Sequence, residues 1–171
     1  MAKTHTAVRR MVLAALMGAL LVAGKQLMSG LPNIEPVSFL LILYTLELPK
    51  ETPGAIAVYL AMQGVLYGFG LWWGMYLYVW LVLWGVAVLC RRIDRAWIWA
   101  LISGAYGLCF GALCALVYLF ARDPAFAFAW WASGLPFDFL HAGGNFLIML
   151  VLYRPMRRAL QLAKRQAHIA E

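Results

Sequence analysis

The sequence predicts an all-α integral membrane protein: a six-transmembrane-helix bundle with both termini cytoplasmic and a short second helix. Three observations predict it. Of 171 residues, 65% are hydrophobic and 12% charged, outside the balance of water-soluble domains. The apolar residues gather into six runs, most of them close to the roughly 20 residues that cross a bilayer as helix. The charges lie in short clusters between those runs, as topology signals do. The net charge of +7 therefore points to a lipid-facing arrangement and not to nucleic acid. Residues 1–171 read as one membrane-embedded domain, with no stretch left for a soluble catalytic or ATPase module.

The six runs cover residues 8–29, 37–48, 54–69, 73–90, 96–120 and 135–153. Within the first, Arg9-Arg10 precede the apolar stretch Met11 to Gly24, which is not succeeded by a clean small-x-small cleavage site, so it reads as a retained span and not a signal peptide. The second is bracketed by Pro36 and Pro49, which limit a helix at both ends. It reaches only about 18 Å at 1.5 Å per residue, short of a bilayer core of about 30 Å. It must either extend through Asn33-Ile34 or be sheltered by its neighbours. The fifth run is long enough to tilt or protrude.

Topology follows from the basic residues. With six spans and an internal N-terminus, the inner side holds Lys3, Arg9, Arg10, Lys50, Arg91, Arg92, Arg95, Arg154, Arg157, Arg158, Lys164 and Arg165. The outer loops keep only Arg122, and Lys25 near the outer end of span one can snorkel. No internal repeat or inverted pair of halves is visible, which argues against a stand-alone secondary transporter. Cys90, Cys109 and Cys114 lie in apolar runs without a metal-ligand pattern and read as buried thiols.

Polar groups within the apolar runs carry the functional signal. Asp138, His141 and Asn145 stand at i, i+3 and i+7, on one face of a helix. Ionisable groups inside a span are costly and usually face a bundle interior or a solute path. Asn33 and Glu35 lie in the first outer loop, and Gln63 and Tyr67 are one turn apart on span three. Trp72, Trp73, Tyr76 and Trp80 open span four, and Trp130-Trp131 precede span six. Part of this aromatic set fits an interfacial belt. Together with the polar groups it also suits an outward-opening cavity, apolar and aromatic with a few polar anchors.

Two rows of small residues allow close helix approach. Ala15, Ala19 and Ala23 form one on span one, with Gly18 beside it; Gly107, Gly111 and Ala115 form the other on span five. Either row can pack within the chain or against a separate protein. An enzyme reading would use Asp138 and His141 as an acid–base pair. The chain lacks a serine elbow, HExxH, a metal-holding acidic cluster and a Gly-rich phosphate loop. ATP-driven work would therefore need a partner. A small structural or assembly membrane protein is a third reading.

The stretches LPNIEPVSFLLILYTLELPK, LYGFGLWWGMYLYVW and SGLPFDFLHAGGNF, with the span-one alanine row, resemble the S components of energy-coupling factor (ECF) transporters. These are the substrate-binding subunits of bacterial vitamin importers, and the likeness covers nearly the whole chain. The resemblance implies a multi-pass protein of the bacterial plasma membrane, without a cofactor, metal or catalytic site of its own. It implies capture of a vitamin from outside, then docking on a transmembrane coupling protein (EcfT) bearing two ATPases. Ala15, Ala19 and Ala23 match the row that contacts the coupling helices. The substrate pocket of such proteins, at the outer ends of the spans, places Asn33, Glu35, Tyr67, Trp72, Trp73, Tyr76, Trp131, Asp138, His141 and Asn145 as candidates. The three stretches look most like the cobalamin-type subfamily. A flat pyridine- or pteridine-like vitamin would also stack in an aromatic pocket.

Overall fold

The computed structural model describes residues 2–166 and is all-helical over them, without a strand. Six helices follow one another: α1 (Ala2–Leu27), α2 (Val37–Glu47), α3 (Thr52–Tyr67), α4 (Leu71–Leu89), α5 (Ala96–Ala121) and α6 (Pro124–Gln166). Four of them, α1, α4, α5 and α6, are long and apolar enough to cross a membrane. Large apolar side chains such as Leu101, Leu147 and Val151 stay exposed on the outer surface of the bundle. Such a surface suits lipid as its solvent.

Short α2 is sheltered, which resolves its length. Nine of its eleven residues are buried, and it packs against α1, α3, α4 and α6. A helix surrounded on all sides is apolar all round, as VSFLLILYTLE nearly is. It begins after Pro36 and ends before Pro49, where the Leu48 N–H still reaches Tyr44 O at 2.7 Å. Thr52 Oγ1 donates back to Leu48 O at 2.8 Å, joining the Glu51 and Thr52 N–H groups on the same carbonyl at the turn into α3.

The two small-residue rows face opposite ways. On α5, a Cβ at Gly107 would lie 2.8 Å from the backbone of His141, and one at Gly111 would lie 2.3 Å from the Asp138 carboxylate. The α5 row is thus the seam with α6. On α1 the residues that meet α3 are Ala14 and Gly18, the latter against Val58 and the Ala55 carbonyl. Ala15, Ala19 and Ala23 lie on the other side of the helix and are exposed.

Helix α6 departs most from expectation. It begins at Pro124, eleven residues before the predicted start, and continues through Pro136 and Pro155 to Gln166. Trp130 and Trp131 therefore lie within it and do not precede it. Asp123 caps its first turn, accepting the Phe126 N–H at 2.9 Å, and Pro124 occupies the first position, where its missing N–H costs nothing. Three smaller readings change as well. Cys109 is exposed and Cys90 half-buried, leaving only Cys114 buried. Trp80 is 1% exposed and packs against Tyr59 and Phe110, so it belongs to the core and not to a belt. Lys25 does not snorkel; it turns inward to Glu35 and Tyr76.

The helix ends are tied differently. At one end Glu47, 6% exposed, accepts from Arg157 Nε at 2.6 Å, Gln161 Nε2 at 2.9 Å and Lys164 Nζ at 3.4 Å. Arg157 also bonds Asp94, and Arg10 lies 3.6 Å from Glu51. The other end carries the loop around Asn33 and an open cavity.

Candidate functional site

At the Asn33 end, five helices and the α1–α2 loop enclose a cavity of about 380 Å³. Helix α1 supplies Lys25 and Gln26, the loop Asn33, Ile34 and Glu35, and α3 supplies Gln63 and Tyr67. Trp72 and Tyr76 come from α4, Phe110 from α5 and His141 from α6. The loop is pinned over this space: Asn33, in a left-handed conformation at φ 54°, donates from Nδ2 to Phe137 O at 3.2 Å. Asparagine tolerates that conformation better than most residues. Gly68 at φ 85° ends α3 and turns the chain into α4.

The cavity's two charges are spent on each other. Lys25 Nζ lies 3.8 Å from Glu35 Oε2 and donates to Tyr76 Oη at 2.6 Å. Burial pushes the Glu35 carboxyl above its usual range, and the Lys25 ammonium offsets part of that rise. Tyr67 Oη donates to Gln26 Oε1 across the mouth.

Two of the buried side chains that line this cavity carry polar nitrogens without a hydrogen-bond partner among the described residues. Gln63 is 1% exposed and its Nε2 makes no hydrogen bond; His141 is 2% exposed and neither ring nitrogen makes one. The imidazole packs against Phe110 in a T-shaped contact, with centroids 4.8 Å apart and planes at 67°. Buried polar groups cost free energy unless bonded, so an unpaired amide and imidazole facing one cavity are poised for a ligand or water. The walls are aromatic: Trp72 meets Tyr67 and Tyr76 edge-on, at 6.4 and 5.4 Å.

Of the ten predicted pocket residues, Asn33, Glu35, Tyr67, Trp72, Tyr76 and His141 line this cavity, and four do not. Trp73 turns away, its Nε1 donating to Leu60 O at 2.9 Å. Trp131 borders a separate apolar groove of about 200 Å³ between α5 and α6. Asp138 Oδ1 accepts the Gly111 N–H at 2.9 Å, and Asn145 Nδ2 donates to Ser103 O at 3.3 Å. Those two residues join α6 to α5. Asp138 makes no hydrogen bond to His141 among the described residues. Lys25, Gln26 and Phe110 were not foreseen. The signal for Lys25 was its opposite charge to Glu35 across one short loop; for Phe110 it was an aromatic directly beside the Gly107–Gly111 row.

In comparisons with known proteins, no family model matches the chain, and no curated protein or solved structure matches it. The functional reading therefore rests on the cavity and on the chain's own residues.

Proposed function

We propose that this chain is the solute-capturing subunit of an ATP-driven importer, an S component of the ECF type with six spans and both termini in the cytoplasm of a bacterium. The observation that carries the reading is the cavity at the Asn33 end. It is aromatic-walled, partly open and lined by buried polar groups without partners, which is the build of a small-molecule site. The opposite end gathers Arg10, Lys50, Arg91, Arg92, Arg95, Arg154, Arg157, Arg158 and Lys164, so the positive-inside rule turns the cavity outward. The row of Ala15, Ala19 and Ala23 is exposed among the described residues, which supports docking on a coupling protein. The energy then comes from that partner's two ATPases.

The likeness to the cobalamin-type subfamily makes a corrinoid the first ligand to test. One observation favours a smaller one: about 380 Å³ is near the low end of the roughly 300–1,000 Å³ typical for drug-sized ligands. A corrinoid exceeds that class, whereas a pyridine- or pteridine-like vitamin fits within it. The test is titration of the purified, detergent-solubilised chain with cobalamin and a panel of smaller vitamins, followed by tryptophan fluorescence and calorimetry. Saturable binding of one ligand per chain without ATP is expected. Silence across the panel overturns the capture reading.

A further inference from the structure

The charge balance of the cavity says what kind of solute it admits, and this inference rests on the capture reading. Lys25 and Glu35 are the cavity's one cationic and one carboxylate side chain, and they pair at 3.8 Å. Lys25 is further committed to Tyr76, by a 2.6 Å hydrogen bond and by lying 4.7 Å from its ring centroid. An entering carboxylate would find no free cation and would come close to the Glu35 carboxylate, after losing its own hydration. Both effects oppose it in a medium of low dielectric.

What the cavity does leave unpaired is neutral in kind. Gln63 offers a carboxamide and His141 an imidazole, each able to present a donor or an acceptor. A bound group must answer both or leave them buried and unsatisfied, a cost that discriminates more sharply than lost apolar contact. Trp72 lines the cavity and meets Tyr67 and Tyr76 in T-shaped contacts, which makes it an aromatic wall for a flat ring to pack against. The volume accommodates one or two fused rings.

We infer that the cavity selects an uncharged, flat heteroaromatic solute with an amide-like donor–acceptor edge, and rejects the carboxylate form of the same ring. In this arrangement Gln63 and His141 read the polar edge, Trp72 covers a ring face, and the Lys25–Glu35 pair acts as the filter against anions.

The experiment uses matched probes that differ in charge: nicotinamide against nicotinate, and pterin against pterin-6-carboxylate. Each is titrated into the purified full chain near pH 7.5 by calorimetry, with cobalamin alongside. The neutral member of at least one pair is expected to bind at one per chain and at least tenfold tighter than its acid. Glu35→Gln should narrow that gap by improving the acid. Gln63→Leu and His141→Phe should each weaken the neutral probe at least tenfold, with the thermal melt of each variant reporting whether it is folded. An acid that binds as tightly as its neutral partner overturns the inference and leaves solute capture standing. Binding of cobalamin with none of the neutral probes does the same. If neither the probes nor any vitamin in the panel binds, the capture reading falls together with the inference.

Discussion

The backbone N–H of Gly111 donates a 2.9 Å hydrogen bond to Oδ1 of Asp138, across the seam between α5 and α6. Only a glycine permits it, because a Cβ at position 111 would sit 2.3 Å from Oδ2 of the same carboxylate. The contact shows how a carboxylate on an apolar helix becomes part of the packing: the partner helix presents bare backbone to it. Gly111→Ala is expected to cost about 2–3 kcal/mol, through overpacking and loss of this bond. Asp138→Asn, which keeps an acceptor oxygen, should cost less than half as much. Thermal melts of the two variants in detergent test this, and an unperturbed Gly111→Ala melt would sink it.

Adjacent residues on α1 should behave in opposite ways. A Cβ at Gly18 meets Val58 at 2.7 Å and the Ala55 carbonyl at 2.9 Å, so Gly18→Ala is expected to destabilise by about 2 kcal/mol. Ala19 is exposed, so Ala19→Leu should shift stability by no more than about 0.5 kcal/mol. With the energising module present, Ala19→Leu should spare ligand binding and reduce uptake at least tenfold. Loss of binding equal to the loss of uptake would mean that the row is not a docking face.

Glu47 and its three donors tie the end of α2 to the extension of α6. Removing Arg157 leaves a carboxylate at 6% exposure with only Gln161 and Lys164. Arg157→Ala should therefore cost about 2–3 kcal/mol. The double variant Glu47→Gln with Arg157→Ala should recover part of that loss, because the unpaired charge is then gone. A double-mutant cycle by chemical denaturation measures the coupling; simple additivity would refute it.

Glu35 gives the chain a pH dependence of definite sign. Its carboxyl is raised above the ordinary 4.5 by burial, which outweighs the lowering by Lys25. Between those two values the folded chain holds more protons than the unfolded chain, so stability falls as pH rises through the window. One such group contributes a slope of at most about 1.4 kcal/mol per pH unit. Glu35 faces Lys25 of α1, Tyr67 of α3, Tyr76 of α4 and His141 of α6 across the cavity. Melts of the unliganded chain from pH 4 upward should show the decline, and Glu35→Gln should flatten it. An identical profile in the variant would assign the decline to another group.

The sequence by itself determined the six helices and the membrane-compatible character of the chain. Both follow from local physics: apolar runs favour helices in lipid, and Pro36 and Pro49 punctuate α2 wherever it packs. Even the early start of α6 was written locally, as the cap Asp123 followed by Pro124; the internal Pro136 obscured it. Tertiary structure decided which faces meet. Two small-residue rows of the same spacing look alike in one dimension, yet the one on α5 is a seam and the one on α1 is bare. Asp138, His141 and Asn145 share a helix face, but a face about 100° wide borders two neighbours at once. Helix α6 is set so that its outer two polar residues meet the α5 backbone and only His141 reaches the cavity. Periodicity places residues on a face; the rotation of that face against its neighbours is fixed by packing between helices, which spacing along one helix does not encode.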